Sequence, residues 1–178
     1  MEIRRFTTAE TPTGVVTQTD NVLDTASRES TDVINIWGFD AVPSLPLGPE
    51  HVLGAFQQLG AFGPLGGIRA DLYIMPPFGD EPPDLAEIAS KIDLGTGGGM
   101  VPGAEGGGMH RTDTIDFVTV IEGETNVAYP SEDGSEHEIT IKVGDFLTHN
   151  GTFHRWHNRS GKTCTLLLVT IAAERKDS

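Results

Sequence analysis

The stretch GGGMHRTDTIDFVTVIEGE, from Gly106 to Glu124, decides the fold that the sequence predicts. After its three glycines and a histidine, polar and apolar residues alternate as far as a glycine that marks a turn. Residues two apart in a β-strand share a face. One face of this strand therefore carries His110, Thr112, Thr114, Asp116, Val118 and Val120. A row that is polar at one end and apolar at the other is typical of a barrel with a wet mouth and a dry base.

The chain after this strand continues as further strands separated by turns. Turn residues stand at Asp133-Gly134, Gly144-Asp145 and Asn150-Gly151, and the Asp-Gly pair is typical of a hairpin. The segments around them are ETNVAYP, HEITIKVGDFLTH, FHRWHNRS and KTCTLLLVTIAA. Short strands at this regular spacing predict an all-β fold, an antiparallel sandwich or barrel.

The first half of the chain predicts an N-terminal strand extension and a connecting region. IRRFTTAE, TGVVTQTD and TDVINIWGFD are three strands within about residues 1–40, which we expect to add to a sheet edge, in this barrel or a partner's. GIRADLYIMPP is a fourth strand that ends at two prolines. Short helices are predicted over Pro49–Leu59 and in EPPDLAEIASKI. Eight of the fourteen residues 95–108 are glycine, which predicts a surface loop that is either a lid or disordered.

The composition limits the classes of function. The 178 residues suit one domain with a sizeable core. A formal net charge of −14 repels phosphate backbones and anionic lipids, and no apolar stretch is long enough to span a bilayer. The single cysteine, Cys164, excludes an intramolecular disulfide and lies in an apolar strand, where we expect an inert thiol. We expect a cytoplasmic protein that binds neither nucleic acid nor membranes.

A second group of histidines lies in HNGTFHRWHN, residues 149–158. His154 and Trp156 share one strand face, and antiparallel turns bring this strand back beside the first. His110, Asp116 and His154 are therefore predicted to converge in one cavity. Imidazole nitrogen and carboxylate oxygen suit a divalent metal with open positions for water, substrate or O₂.

This half of the chain, from Gly107 to about Ala173, resembles the cupins, which are double-stranded β-helix barrels of the jelly-roll type. In their first motif, G-x5-H-x-H-x3,4-E-x6-G, His110 matches the first histidine and Asp116 the glutamate, while Thr112 stands at the second histidine. Their second motif, G-x5-P-x-G-x2-H-x3-N, is matched by Gly144, Gly151, His154 and Asn158, with one residue fewer before Gly151 and with Asn150 in place of the proline. The resemblance implies one cupin domain over residues 1–178, with N-terminal strands and connecting segments (1–75), a Pro/Gly-rich loop with a short helix (76–108) and the motif-bearing barrel (109–173). It also implies a homodimer.

The resemblance implies a metal-dependent enzyme that acts on a small organic substrate inside the barrel. His110, Asp116 and His154 would hold iron, zinc, nickel or manganese, for lyase, isomerase, decarboxylase or dioxygenase chemistry. We expect Asp116 and His154 to be catalytic. Thr112, Trp156 and Tyr73 are predicted to contact the substrate.

Two departures from the cupin pattern leave alternatives open. Thr112 occupies a usual ligand position although threonine is a poor ligand for divalent ions, and Asp116 is one methylene shorter than glutamate. The second hypothesis is therefore a metal-free barrel that binds a small molecule without catalysis. The third is a metal-free enzyme that uses Asp116 and His154 as an acid/base pair. The other histidines are predicted to lie outside the site, with His149 at a turn near the rim, His157 facing away from His154, and His51 and His137 solvated.

Overall fold

The structure is a computed structural model that describes residues 2–24, 32–48, 59–78, 99–104 and 106–176. All regular secondary structure in these residues is β-strand. The strands are β1 (Glu2–Thr11), β2 (Gly14–Asp24), β3 (Asp32–Phe39), β4 (Ile68–Met75), β5 (Val101–Pro102), β6 (His110–Arg111), β7 (Thr114–Glu122), β8 (Glu124–Pro130), β9 (Glu136–Lys142), β10 (Phe146–Asn150), β11 (Arg155–His157) and β12 (Cys164–Ala172). Both predicted helices lie outside the described residues, apart from Leu59.

Two antiparallel sheets form the body of the fold. The larger sheet has the strand order β10-β7-β12-β4-β3 and the smaller one β11-β8-β9. One core cluster joins their inner faces, and its buried members are Met75, Val118, Val120, Cys164 and Leu166 from the larger sheet and Val127, Ile141 and Trp156 from the smaller. Each such side chain contributes roughly 1.5–3 kcal/mol when it is fully buried. The sheets therefore pack face to face, and the predicted all-β jelly-roll barrel is confirmed.

The predicted turns connect these strands. Gly134, Gly144 and Gly151 have φ angles of 81°, 98° and 63°, which L-residues with side chains rarely adopt. Gly134 lies in the hairpin that pairs β8 with β9, and the other two lie at either end of β10. Among the described residues, no helix is long and apolar enough to cross a membrane.

The N-terminal strands only partly follow the prediction. β3 extends the larger sheet as an edge strand beside β4, as expected. β1 and β2 do not join a sheet edge of this barrel but pair with each other as a separate hairpin, and addition to a partner's sheet stays a prediction. Side chains attach this hairpin to the barrel instead, because Ile3 packs on the outer-face cluster around Leu72 and Ile74. Arg5 also donates a hydrogen bond to the Ile36 carbonyl at 2.8 Å.

The glycine-rich segment has a defined structure in its described part. β5 pairs with β6, so that Pro102 lies opposite His110. Between them the Gly103 N–H donates to the Met109 carbonyl at 2.7 Å, and Met109 is buried. Gly106, Gly107 and Gly108 all have positive φ angles, of 65°, 62° and 79°. Three consecutive left-handed residues turn the chain tightly into His110, which explains the need for glycine there.

Candidate active site

A cavity of about 130 Å³ lies between the sheets at the polar end of the barrel. An apolar cavity of similar size holds a molecule such as benzene, so the space suits a small organic ligand. Its described lining consists of Val33, Ala61, Phe62, Asp71, Tyr73, Met100, His110, Thr112, Asp116, Val118, His149, His154, Trp156, Leu168 and Thr170.

The structure places His110, Asp116 and His154 around this one cavity. The backbones of His110 and His154 are joined by two hydrogen bonds of 2.9 Å, which hold the two histidines side by side. Their ring centroids are 4.5 Å apart. The residues predicted to contact a substrate, Thr112, Trp156 and Tyr73, line the same cavity.

The prediction that His149 lies at a turn near the rim is wrong. His149 belongs to β10, is only 2% exposed and stands directly opposite Asp116 on β7. Its ring lies 4.0 Å from that of His154, centroid to centroid. The turn comes two residues later, at Gly151, so His149 is still part of the strand. Residues two apart share a face, and His149 therefore points inward like the partly buried Leu147. That alternation was the signal that could have identified it.

The remaining histidines do not line the cavity in the described part of the chain. His157 is only 2% exposed, and it does not share the cavity face of His154 and Trp156, in agreement with the prediction that it faces away from His154. His137 is exposed, as predicted. His51 lies outside the described residues.

Backbone carbonyls fix the tautomers of two cavity histidines. The Nδ1 of His110 lies 2.9 Å from the Gly108 carbonyl oxygen, and the Nδ1 of His154 lies 2.9 Å from that of Thr152. A carbonyl only accepts, so each Nδ1 carries the proton and each Nε2 keeps a lone pair. The left-handed Gly108 thus has a second role, because its carbonyl orients the His110 ring.

Burial keeps the imidazoles neutral. It lowers the pKa of His154 to about 2 and that of His149 to about 4, and the charges of neighbouring histidines add to both effects. Burial also lowers the pKa of His110, against the hydrogen bond to Gly108. Near neutral pH the three rings therefore act as neutral hydrogen-bonding groups.

Two carboxyl groups face the cavity, and the sequence prediction included only one of them. Burial raises the pKa of Asp116, while Thr114 opposes the change. Burial also raises the pKa of Asp71, to about 7, against the effects of Asn35 and of the Arg69 charge. Asp71 shares the inward face of β4 with Tyr73 and Met75, but both faces of this strand are covered, so the sequence alone does not tell which face lines the cavity.

The described side chains, as placed, show no assembled cluster of metal ligands. In the portion of the chain that is described, no group of three or more His, Cys, Asp or Glu side chains is arranged to hold an ion. The rings of His149 and His154 stack with planes 21° apart, whereas the rings of the predicted ligands His110 and His154 are tilted by 53°. The Thr112 hydroxyl is engaged with that of Thr114 at 2.7 Å. Metal ligation by His110, Asp116 and His154 stays a prediction.

Comparison with known proteins finds relatives in a biosynthesis cluster of Diaporthe leptostromiformis. No protein-family model matches the sequence. "Phomopsin biosynthesis cluster protein C'" and "Phomopsin biosynthesis cluster protein D" of Diaporthe leptostromiformis are each 30% identical over 111 residues, which is 60% of this chain and 53% of the relative. The chain therefore spans about half the length of the curated relatives it matches.

The solved structures that align with the chain include an oxalate oxidase and cupin-domain proteins. The oxalate oxidase aligns with a TM-score of 0.42 at 13% identity, over 85% of this chain and 55% of that one. A cupin domain from Bordetella pertussis aligns with a TM-score of 0.36 at 16% identity, over 60% and 82%. A cupin domain of a transcriptional regulator from Enterobacter cloacae gives 0.33 at 15% identity, over 61% and 83%. Scores this low carry no argument about function.

Proposed function

We propose that the protein is a cupin enzyme that moves a proton on a small organic molecule held in the cavity. The observation that carries the proposal is the placement of Asp116 opposite His149 on neighbouring strands. Directly opposed Cβ atoms lie about 5 Å apart, so one substrate group can reach both side chains. Asp116 Oδ1 and His149 Nε2 are buried and have no hydrogen-bond partner in the described part of the chain.

The environments of the two side chains suggest their roles. A carboxylate whose pKa is raised by burial is a stronger base than an exposed one, which suits Asp116 for taking a proton from carbon. The Tyr129 hydroxyl lies 3.5 Å from His149 Nδ1, and its own pKa is raised to about 12, so it stays a donor. A ring that accepts at Nδ1 presents an Nε2–H to the cavity.

This arrangement supports an isomerase or lyase reaction. Asp116 removes a proton next to a carbonyl group, and the neutral His149 donates to the carbonyl oxygen as negative charge develops there. In a β,γ-unsaturated carbonyl compound, return of the proton from Asp116 to the γ-carbon moves the double bond next to the carbonyl group, completes an isomerisation and restores the enzyme. Val118, Leu168 and Trp156 line the cavity with apolar surface that limits the access of water. The names of the two relatives, proteins of a biosynthesis cluster, support a role in small-molecule metabolism.

Exchange of substrate protons with solvent tests this proposal. Small ketones and aldehydes are incubated with the protein in D₂O, and deuterium at the carbon next to the carbonyl is followed by proton NMR. We expect exchange that the Asp116→Asn variant loses by about 10²–10⁴-fold. The exposed His137→Gln variant is the control and should match the wild type. Ligand binding without exchange would favour the binding-barrel hypothesis instead.

One observation favours a metal-dependent enzyme as the second candidate. His110 and His154 each donate Nδ1–H to a backbone carbonyl, which is the usual pattern in metal-binding histidines. Metal content of untagged protein, purified without chelator, is measured by mass spectrometry beside a His110→Ala/His154→Ala variant. Near-stoichiometric iron, zinc, nickel or manganese that the variant loses would support this candidate. Protein without metal, and without a change of stability on adding metal, would count against it.

A further inference from the structure

The charge balance of the cavity is one-sided. Its described lining includes two carboxyl groups and three imidazoles, and neither lysine nor arginine is among these residues. Arg69 acts on Asp71 through its charge, but this guanidinium is buried and already paired with Asp40 at 2.5 Å. It also donates to the carbonyl oxygens of Gly60 and Phe39, at 2.7 and 2.8 Å. Among the described lining residues there is therefore no unpaired cationic side chain that could bind an anionic ligand.

Asp71 is the carboxyl group that the proposed reaction does not use. It is 4% exposed and lines the cavity, and its Oδ1 has no hydrogen-bond partner among the residues that the structure describes, although the Asn35 amide directly opposite on β3 stabilises the ionised carboxylate. A buried oxygen without a donor is costly, and a ligand that supplies the donor removes that cost. A ligand that donates a hydrogen bond would therefore stabilise the Asp71 carboxyl group, and a positively charged donor stabilises an ionised carboxylate most.

Asp71 also lies apart from the reactive pair. β12 runs between β4 and β7, with Leu168 opposite Asp71 and Thr170 opposite Asp116. Strands two apart in a sheet are separated by about 10 Å, so the backbone positions of Asp71 and Asp116 belong to different sides of the cavity. A ligand that reaches both residues has one polar group at each end and an apolar body between them.

We propose that the cavity binds a small organic cation whose ammonium group is anchored by Asp71. This inference rests on the proposed function, since it names the substrate class for the same cavity. The apolar body lies against Leu168 and Tyr73, and the Tyr73 ring adds attraction for the cation. A body of about the size of a benzene ring with one substituent matches the volume. A carboxylate ligand of the same shape is disfavoured because it places its charge beside Asp71 and Asp116.

Three probes of matched shape and different charge test the proposal. Benzylamine, benzyl alcohol and benzoate are titrated into the wild-type protein by calorimetry at pH 8 and constant ionic strength. We expect benzylamine to bind at least about tenfold more tightly than benzyl alcohol, and benzoate to bind more weakly than both. Equal affinities, tighter binding of benzoate, or binding of none of the three would overturn the proposal.

Variants assign the preference to Asp71. Asp71→Asn should remove the advantage of benzylamine and leave the affinity for benzyl alcohol within about twofold. Glu132→Gln, an exposed turn residue, removes the same charge from the surface and should leave all three affinities unchanged. An Asp71→Asn variant that still prefers the amine would overturn the assignment. If this variant does not fold, as judged by its circular dichroism, the ranking of the three probes on the wild type decides.

The same experiment separates this proposal from the proposed reaction. Asp116→Asn should lose proton exchange and keep the preference for benzylamine over benzoate. A protein that prefers the amine but shows no exchange has the inferred ligand class and not the proposed reaction. A protein that shows exchange without any amine preference has the proposed reaction and not the inferred ligand class.

Discussion

Asp116 and His149 stand directly opposite each other on β7 and β10, and both side chains are more than nine-tenths buried. Backbone pairing between two strands fixes this relationship, and a shift of the register by one residue would turn both side chains to the outer face. The pair is therefore as rigid as the sheet itself. Rigid placement is what an acid/base pair needs to meet a substrate in one geometry.

The cavity histidines predict a loss of stability in acid. The pKa values of His149 and His154 are about 4 and 2 in the native protein, against 6.5 for the free side chain. Below pH 6.5 the unfolded chain takes up protons that the native protein refuses, so the free energy of unfolding falls as the pH drops towards 4. His149→Phe should reduce this fall by roughly 1–3 kcal/mol between pH 6.5 and 4, measured by urea unfolding. His137→Gln is the control, and a wild-type stability that is flat over this range contradicts the prediction.

The raised pKa of Asp71 gives the free energy of unfolding a pH dependence of opposite sign. Its pKa of about 7 in the native protein means that, between pH 4 and 7, the native state holds a proton that the unfolded chain has released. Rising pH therefore lowers the free energy of unfolding through this group. Asparagine does not ionise, so Asp71→Asn should gain roughly 1–3 kcal/mol relative to the wild type between pH 5 and pH 8. Urea unfolding at the two pH values measures the gain. A difference between variant and wild type that does not change with pH would refute it.

Gly123 offers a matched test of close packing. Gly123 and Gly134 have nearly the same φ angles, 78° and 81°, so alanine strains the backbone equally at both. An added Cβ at Gly123 would lie 2.7 Å from the Thr163 carbonyl oxygen, whereas at Gly134 it meets no atom within 4 Å. We expect Gly123→Ala to cost about 2–4 kcal/mol of unfolding free energy and Gly134→Ala about 1 kcal/mol. Thermal and urea unfolding of the two variants measure the difference, and equal costs would show that Thr163 moves away freely.

We also propose that the protein is a homodimer that pairs through the outer face of its larger sheet. Phe117 and Phe146 stack there with ring centroids 5.5 Å apart and are 46% and 68% exposed. Ile115 and Ile171, paired on neighbouring strands, extend this patch and are 43% and 44% exposed. The patch has no charged side chain, which suits contact between two copies of a chain whose net charge is −14.

Light scattering coupled to size-exclusion chromatography tests the dimer. The wild type should elute with twice the mass of the chain, and the Phe117→Ser/Phe146→Ser variant with the mass of one. Val42→Ser, which changes an exposed side chain (81%) outside the patch, should leave the dimer intact. A wild-type monomer at tens of micromolar would rule the interface out.

Strand alternation made most of the barrel predictable, and its limits explain what was missed. The inward row from Thr112 to Val120 is buried at every second position, as the spacing predicts. The face of β4 could not be assigned without its partners, because both faces of this strand are covered, and so Asp71 was missed. Between Asn35 and Trp37 the register of β3 shifts, which simple alternation cannot anticipate.

The N-terminal hairpin shows a different limit of sequence-based prediction. The residue pattern of β1 and β2 predicts two strands. Whether these strands pair at a sheet edge or pack on the outer face of the larger sheet depends on side chains that are distant in the sequence. Here Ile3 and Arg5 make those contacts with the larger sheet. Such long-range contacts leave no periodic signal in the sequence.

The walls of the cavity are distributed over the fold in a way that bears on how such proteins diverge. β3 and β10 each supply one lining residue, Val33 and His149, and the other lining strands supply one or two. A single substitution at one of these lining positions therefore alters the lining chemistry while the hydrogen-bonded ladder stays as it is. A barrel of this kind can thus change its ligand by a few point mutations that leave the pairing of its strands intact.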